Sequence, residues 1–109
     1  MVPVELDAAP LTRRLEPAVE TAAYFVIAEA LTNVAKHSQA RQCTIGIRDG
    51  GGALRVWVTD DGAGGAAVSK GHGLQGLDDR LHAIGGQLRV TSPDGGPTTV
   101  TAELPCGSS

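Results

Sequence analysis

The sequence predicts an α+β domain built as a two-layer α/β sandwich, in which a mixed, mainly antiparallel sheet carries helices packed on one face. Strands with one buried face are indicated where apolar and polar residues alternate, over 43–48, 54–59, 87–91 and 98–104. Apolar residues recur at helical spacing over 17–37 and 74–84. Because helices cannot cover both faces of a sheet that has one polar face, a doubly wound parallel sheet is excluded.

The first elements are a short strand and a long helix. Residues 2–6 alternate briefly and predict an edge strand. The helix is predicted over 17–37, with Pro17 and Glu20 well placed in its first turn. Its apolar residues recur at helical spacing and include Tyr24, Ile27, Ala28, Leu31, Val34 and Ala35.

The remaining elements begin with a β-hairpin, whose turn is predicted at 49–52. Residues 61–73 are rich in Gly, Ala and Ser and predict a mobile loop. The second helix stops at Gly85-Gly86, a common C-terminal signal. A turn over 92–97 joins the last two strands, and the tail 106–109 is predicted to be disordered.

Size, charge and cysteine usage limit the function. A chain of 109 residues accommodates a single domain, 1–109. Its net charge of −3 and the lack of a basic stripe argue against nucleic acid as a partner. Cys43 and Cys106 form neither a metal-ligand spacing nor a disulfide framework. The two cysteines are interpreted as ordinary thiols in a reducing cytosol, so we expect a cytoplasmic domain. The longest apolar run, 22–31, is interrupted by Glu29 and too short to span a bilayer, so no membrane contact is expected.

Polar side chains gather on one face of the long helix. At about 100° per residue, Glu29, Asn33 and Lys36 fall within a sector of about 60°, beside His37. This sector lies roughly opposite Ile27, Leu31 and Val34. An Asn inside a helix is better tolerated when its amide has a partner, and Glu and Asn oxygens suit Mg²⁺. The face predicts a Mg²⁺ site with Lys36 and His37 toward substrate phosphates; the alternative is an ordinary solvated face.

Asp60 closes a predicted strand and is followed by Gly62 and Gly64. A carboxylate in this place can accept a hydrogen bond from the exocyclic amine of a base. The two glycines let the backbone approach a flat ring closely. The alternative interpretation is an aspartate that simply initiates a turn before glycines.

The run GHGLQG over 71–76 satisfies the dinucleotide fingerprint G-x-G-x-x-G. That fingerprint requires a hydrophobic strand before it, whereas 64–70 is a polar loop of small residues, so NAD is excluded. No Walker-type run occurs, which excludes the P-loop class. The helix that begins near Leu74 still offers unpaired N–H groups to an anion. His72 contacts phosphate or nothing, and His82 is expected to be structural or exposed.

The motifs occur in the order 29–37 (EALTNVAKH), 60–64 (DDGAG), 71–77 (GHGLQGL) and 97–100 (PTTV). Together they resemble the ATP-binding catalytic domain of bacterial sensor histidine kinases over nearly the whole chain. The run 71–81 is similar to the subgroup that phosphorylates LuxR/NarL-type response regulators. The resemblance implies the Bergerat (GHKL) fold, ATP and Mg²⁺ as ligands, and transfer of the γ-phosphoryl group to a histidine.

The resemblance also implies roles for single residues. Asp60 would bind the adenine amine, assisted by Thr98, and Asn33 would coordinate Mg²⁺ with Glu29 near the metal and its waters. Glu29, Lys36 and His37 would form the catalytic group. Residues 62–75 would form the ATP lid, and further nucleotide contacts would come from Gly62, Gly64, Gly71, His72, Gly73, Leu74 and Gly76.

The resemblance does not extend to the acceptor histidine, and it departs from the family at Pro97. The acceptor histidine of such kinases lies on a helical dimerisation domain, which nothing here resembles, so His37 is not taken as the acceptor. Pro97 stands where the family usually has Gly, which leaves the placement of Thr98 open. The alternatives are a serine kinase of the anti-sigma-factor type and a non-catalytic module of the same fold. The location could also be the cytoplasmic part of a membrane-bound sensor.

Overall fold

In the part of the chain that the structure describes, a five-stranded sheet forms one layer and two helices form the other. The computed structural model describes residues 4–8, 16–34, 42–50, 52–62, 74–93 and 97–105. In chain order the elements are β1 Val4–Ala8, α1 Pro17–Asn33, β2 Cys43–Gly50, β3 Ala53–Asp60, α2 Leu74–Ala83, β4 Gln87–Thr91 and β5 Thr98–Pro105. Neither helix in these ranges is long and apolar enough to cross a membrane.

The strand order is β1-β2-β3-β5-β4, with β1 parallel to β2 and all other neighbours antiparallel. The predicted mixed, mainly antiparallel sheet is therefore confirmed. Strands β2 and β3 form the predicted hairpin. Its loop is shorter than the predicted turn at 49–52, since Asp49 and Gly50 already pair with Leu54 and Ala53. Gly52 takes a positive φ of 79° in this loop, a conformation that favours glycine.

Both helices pack on the same face of the sheet. Every second residue of β3 and β5 points into this layer, so the strands alternate between buried and more exposed positions. Helix α1 contacts β3 and β5, and α2 contacts α1 and β4. The core side chains are Val19, Ala22, Val26, Ala30, Val34, Cys43, Ile45, Leu54, Val56, Val58, Leu77, Leu81, Val100, Ala102 and Leu104.

The buried stripe of α1 differs from the apolar face that the sequence indicates. Val26 and Ala30 are buried at its centre, whereas Ile27 and Leu31 are only partly buried and Tyr24 is 68% exposed. Of the predicted apolar residues Val34 is buried in the core, and the rest of the buried stripe is formed by Val19, Ala22, Val26 and Ala30.

Helix α2 ends one residue earlier than predicted, and its end is a glycine-stabilised turn. The N–H of Gly86 donates to the carbonyl of Leu81 at 2.7 Å, and the N–H of Gly85 donates to the carbonyl of His82 at 3.1 Å. This pair of bonds is the Schellman motif, with Gly85 at a φ of 80°. Gly86 also has no room for a side chain, since a Cβ there would lie 2.8 Å from the carbonyl oxygen of Glu103.

The opposite face of the sheet carries no helix in the described part of the chain. Trp57, the only tryptophan of the sequence, lies there against its cross-strand neighbour Gly46. The guanidinium of Arg48 sits 5.7 Å from the centre of the indole ring and pairs with Asp7 of β1 at 2.8 Å. The absent Cβ of Gly46 thus provides the space in which the indole lies across β2.

Candidate functional site

Asp60 and Thr98 mark one end of the sheet beneath the helices. They are the buried polar side chains of the described ranges, 4% and 8% exposed. The register of β3 and β5 places them directly opposite each other on the helix-facing side of the sheet. A polar pair in an otherwise apolar layer is costly unless something satisfies it, which identifies this end of the sheet as the candidate site.

The carboxylate of Asp60 is partly satisfied by its own turn. The N–H of Gly62 donates to Oδ1 at 2.8 Å, as in an Asx turn. Burial raises the pKa of Asp60 above its ordinary value, the Gly62 bond opposes this, and the nearby Asp61 adds to the rise. No cation pairs with Asp60 within the described ranges. The carboxylate is therefore an acceptor suited to a neutral donor such as an amine on a ring.

The hydroxyl of Thr98 has a close partner that the sequence did not indicate. Ser92 lies just after β4, and its Oγ is 2.6 Å from Oγ1 of Thr98. The predicted turn over 92–97 brings the two strands together, but the contact also depends on their register, which spacing alone does not give. Pro97 does not prevent Thr98 from starting β5 opposite Asp60, which resolves the doubt about its placement.

Asn33 lies on the buried side of α1 and not opposite the core. It follows Ala30 by three residues and is itself half-buried, next to the buried Val34. The polar sector was predicted roughly opposite Ile27, Leu31 and Val34, but the core of α1 runs along Ala22, Val26 and Ala30, beside Asn33. The Nδ2 atom of Asn33 is buried and has no hydrogen-bond partner among the described residues. An amide in this state has unused capacity for a ligand.

Glu29 and the start of α2 share a small cavity. Its volume is about 160 Å³, and its lining includes Glu29 and Phe25 of α1 and Gly76, Leu77 and Arg80 of α2. The guanidinium of Arg80 lies 4.3 Å from the ring centre of Phe25. The two helices therefore place a carboxylate near the first turn of α2, where backbone N–H groups lack helical partners.

The described candidate residues form two groups. Asp60, Gly62 and Thr98 form the first group, and Glu29 with Gly76 forms the second; Asn33 lies one helical turn beyond Glu29. Only the backbone of Leu74 is described. The predicted site residues that lie outside the described ranges are Lys36, His37, Gly64, Gly71, His72 and Gly73.

The oxygen ligands that α1 offers, Asn33 and Glu29, suit a hard cation such as Mg²⁺ only if other ligands complete its coordination. In the described ranges no group of three His, Cys, Asp or Glu side chains could hold a metal ion. Asn33 and Glu29 offer an amide and a carboxylate oxygen four residues apart. Mg²⁺ is commonly held by one or two protein oxygens, with waters and substrate phosphates in the other positions, and this pair fits that pattern.

Among the remaining cysteines and histidines, Cys43 and His82 lie within the described residues. Cys43 pairs in register with Asp60 and is buried, and this burial raises the pKa of its thiol. His82 is exposed on α2, as predicted, at 3.6 Å from Asp78. Cys106 lies outside the described residues.

The buried Asp60 predicts a pH dependence of stability. Its pKa in the folded chain is raised above the ordinary value of 3.8, so the folded state binds this proton more tightly than the unfolded state. Ionising the buried Asp60 lowers the free energy of unfolding. This loss is absent at a pH below the ordinary pKa and complete at a pH above the raised pKa of the folded state. We expect wild-type protein to lose stability relative to Asp60→Asn as the pH rises through this window. Urea unfolding of both proteins at a series of pH values measures it, and a difference that is constant with pH would contradict it.

The sequence matches the family model described as histidine kinase-, DNA gyrase B-, and HSP90-like ATPase over residues 18–108. It is 39% identical over 83 residues to the sensor histidine kinase DesK of Bacillus subtilis, covering 73% of this chain and 22% of that protein. It is 32% identical over 110 residues to the sensor histidine kinase MctS of Rhizobium johnstonii, covering 95% and 24%. The chain thus spans about a quarter or less of the length of these relatives.

Solved structures share the fold. The histidine kinase domain of the blue-light activated histidine kinase from Erythrobacter litoralis superimposes with a TM-score of 0.78 at 21% identity, covering 96% of this chain and 52% of that one. The catalytic domain of the histidine kinase ThkA, in a nucleotide-free form, gives a TM-score of 0.77 at 16% identity, covering 96% and 78%. At these identities the likeness establishes the architecture only.

Proposed function

The chain belongs to the family of histidine kinase-, DNA gyrase B- and HSP90-like ATPases, and from this premise we propose that it binds ATP with Mg²⁺ and, when a dimerisation domain is supplied, transfers the γ-phosphoryl group to a histidine. In this proposal residues 1–109 form one ATP-binding catalytic domain in the cytoplasm. The observation that carries it is the buried pair of Asp60 and Thr98 at the end of the sheet.

The chemistry of the pair supports recognition of adenine. An ionised carboxylate only accepts hydrogen bonds, and Asp60 has no cationic partner within the described ranges. The exocyclic amine of adenine is a neutral donor that can satisfy it without burying a second charge. Thr98, its neighbour across the strands, can contact the adjoining ring nitrogen through its hydroxyl. Gly62 would allow the ring to approach the backbone.

The helix layer supports a phosphate and metal end of the same site. Bound Mg²⁺ would neutralise phosphate charge, and Asn33 and Glu29 are the residues that would hold it. The N–H groups at the start of α2, around Leu74 and Gly76, would attract phosphate through the dipole of the helix. Lys36, His37, Gly64, Gly71, His72 and Gly73 are proposed to complete the contacts, as the family motifs imply.

Phosphoryl transfer in this proposal depends mainly on positioning and charge neutralisation. The γ-phosphorus would exchange its bond to the β-phosphate oxygen for a bond to an imidazole nitrogen, and ADP would leave. Glu29 is proposed to orient or accept the proton of the attacking group. We further propose that the histidine-bearing domain belongs to the same kinase and that the phosphoryl group passes to a LuxR/NarL-type response regulator.

Calorimetric titration with a non-hydrolysable ATP analogue, with and without Mg²⁺, tests the binding step. We expect saturable binding that strengthens with the metal. The acceptor is tested separately by adding a histidine-bearing dimerisation domain and examining the phosphorylated product, because phosphohistidine is labile to acid and phosphoserine is stable. An acid-stable product would favour the serine kinase, and a chain that binds no nucleotide would favour the non-catalytic module.

Asn33→Asp is expected to weaken Mg²⁺·ATP binding by about 10-fold, equivalent to about 1.4 kcal/mol. The substitution removes the NH₂ donor of a half-buried side chain and adds a negative charge at the proposed phosphate end. Calorimetry of both proteins with and without Mg²⁺ measures the effect. Gln87→Glu, the same exchange at an exposed position of β4, is the matched control. Equal affinities for wild type and Asn33→Asp would argue against the role of Asn33.

A further inference from the structure

We infer that Ser92 is a positioning residue that contributes to the base specificity of the site, because its hydroxyl, by donating to Thr98, leaves the proton of Thr98 available to the base. The inference rests on the proposed nucleotide function and assigns part of the selection of adenine over guanine to a residue outside the family motifs. It requires that Ser92 donates to Thr98, so that the proton of Thr98 is available to the base.

The two hydroxyls are held together by the sheet. Ser92 directly follows β4 and Thr98 begins β5, and the last register pair of these strands is Thr91 with Thr99. The oxygens lie 2.6 Å apart, at the short end of the range for a hydrogen bond between hydroxyls. Ser92 is half-buried and Thr98 is 8% exposed, so bulk water competes little for this contact. The strand ends therefore keep the pair in place before any ligand arrives.

The direction of this bond determines what Thr98 can offer to a base. Each hydroxyl has one proton to donate and can accept two hydrogen bonds. If Ser92 donates, Thr98 keeps its own proton for the ligand. If Thr98 donates to Ser92, only its lone pairs remain for the ligand. The neighbouring Asp60 accepts hydrogen bonds in either case when it is ionised.

The two directions suit different atoms of the ring. Adenine presents an amine donor beside a ring nitrogen that accepts, which requires an acceptor next to a donor in the protein. Guanine in the same orientation presents a carbonyl oxygen beside a ring N–H, so its oxygen meets the Asp60 carboxylate acceptor against acceptor, and its N–H requires Thr98 to accept. With Ser92 donating, Asp60 and Thr98 form the acceptor and donor pair that matches adenine. Without Ser92, the Thr98 hydroxyl is free to turn and accept from the ring N–H, so the site loses the part of its discrimination against guanine that Thr98 provides.

Calorimetry with three diphosphates tests the inference: ADP, GDP, and the ADP analogue in which the accepting ring nitrogen is replaced by CH. We expect wild type to prefer ADP to GDP by at least about 100-fold, and ADP to the analogue by about 10-fold. Ser92→Ala should reduce the ADP preference over GDP by about 10-fold and bind ADP and the analogue within about twofold of each other. Ser92→Thr keeps a hydroxyl group and should give the same two affinity ratios as wild type.

A matched control lies on the other face of the sheet. Thr99→Val removes the hydroxyl contact of 3.1 Å between Thr59 and Thr99, which resembles the Ser92 contact but faces away from the helices. It should leave both ratios within about twofold of wild type, because the side chains of Thr98 and Thr99 lie on opposite faces of β5. Ser92→Cys serves as a second test if Ser92→Ala unfolds at a low temperature. Its thiol is close in size to the hydroxyl group but is a weak hydrogen-bond donor, so we expect the same ligand ratios as for Ser92→Ala.

The outcomes separate this inference from the proposed function. Wild type that binds none of the three diphosphates would overturn both. Wild type that prefers ADP, together with Ser92 variants that keep its ratios or lose affinity for all ligands equally, would overturn the role of Ser92 and leave nucleotide binding intact. Loss of discrimination confined to Ser92→Ala and Ser92→Cys supports the inference.

Discussion

Asp60→Asn is expected to weaken ATP binding by at least about 100-fold, or about 2.8 kcal/mol, while the chain stays folded. The amide keeps an oxygen that can accept the hydrogen bond from Gly62, which is 2.8 Å long in the wild type. It loses the charge and one acceptor, and its NH₂ group would face the amine of the base, donor against donor. Calorimetry with an ATP analogue measures the affinity, and thermal unfolding checks the fold.

Two further measurements sharpen this test. At neutral pH the variant should melt at the same temperature as wild type or higher, because it removes a buried charge whose pKa is raised by burial. Asp61→Asn is the matched control, since Asp61 is exposed and its Oδ1 accepts the backbone N–H of Gln42 at 3.0 Å. This control should bind ATP within about twofold of wild type. Unchanged affinity in Asp60→Asn would remove the central residue from the proposed site.

Gly46→Ala, which adds one methyl group, is expected to lower the free energy of unfolding by about 2–3 kcal/mol. This is the largest change in stability that we predict. A Cβ at Gly46 would overlap the six-membered ring of Trp57, which lies across it. The indole must then move, and it loses both its place on β2 and its contact with Arg48 at 5.7 Å. Urea unfolding followed by circular dichroism measures the change.

Gly50→Ala provides the matched control for this prediction. Gly50 is in the same strand, and a Cβ there would have no atom within 4 Å. Its free energy of unfolding should change by less than about 1 kcal/mol. Shortening Trp57 to Val should remove most of the penalty of Gly46→Ala, because the clash requires both partners. Equal losses in Gly46→Ala and Gly50→Ala would show that the indole does not depend on this glycine.

The sheet was predictable from sequence because its strands carry their own pattern. In β3 the buried Leu54, Val56 and Val58 alternate with side chains on the face away from the helices. The Gly85-Gly86 pair indicated the end of α2 within one residue. These signals are local: each depends on a few neighbouring residues and on one period. The two-layer fold follows from them once one face of every strand is seen to be polar.

The arrangement of α1 and of the Thr98 hydroxyl could not be read in the same way. Val26 and Ala30 are buried although Ile27 and Leu31 are as apolar or more so, because the packing of α1 against β3 and β5 decides which side of the helix faces the sheet. The contact of Ser92 with Thr98 depends on the register of β4 and β5, which the predicted turn between them does not determine. The role of Asp60 in binding stays a prediction, although its burial beside Thr98 is now described.

The single indole of this chain gives it a convenient optical reporter. Trp57 and Asp60 are three residues apart on one strand, so their side chains point to opposite faces of the sheet. Ultraviolet-excited emission should therefore change when the strands come apart and stay constant when a ligand enters beneath the helices. The same cuvette can then distinguish a variant that has melted from one that is intact and has merely lost its affinity.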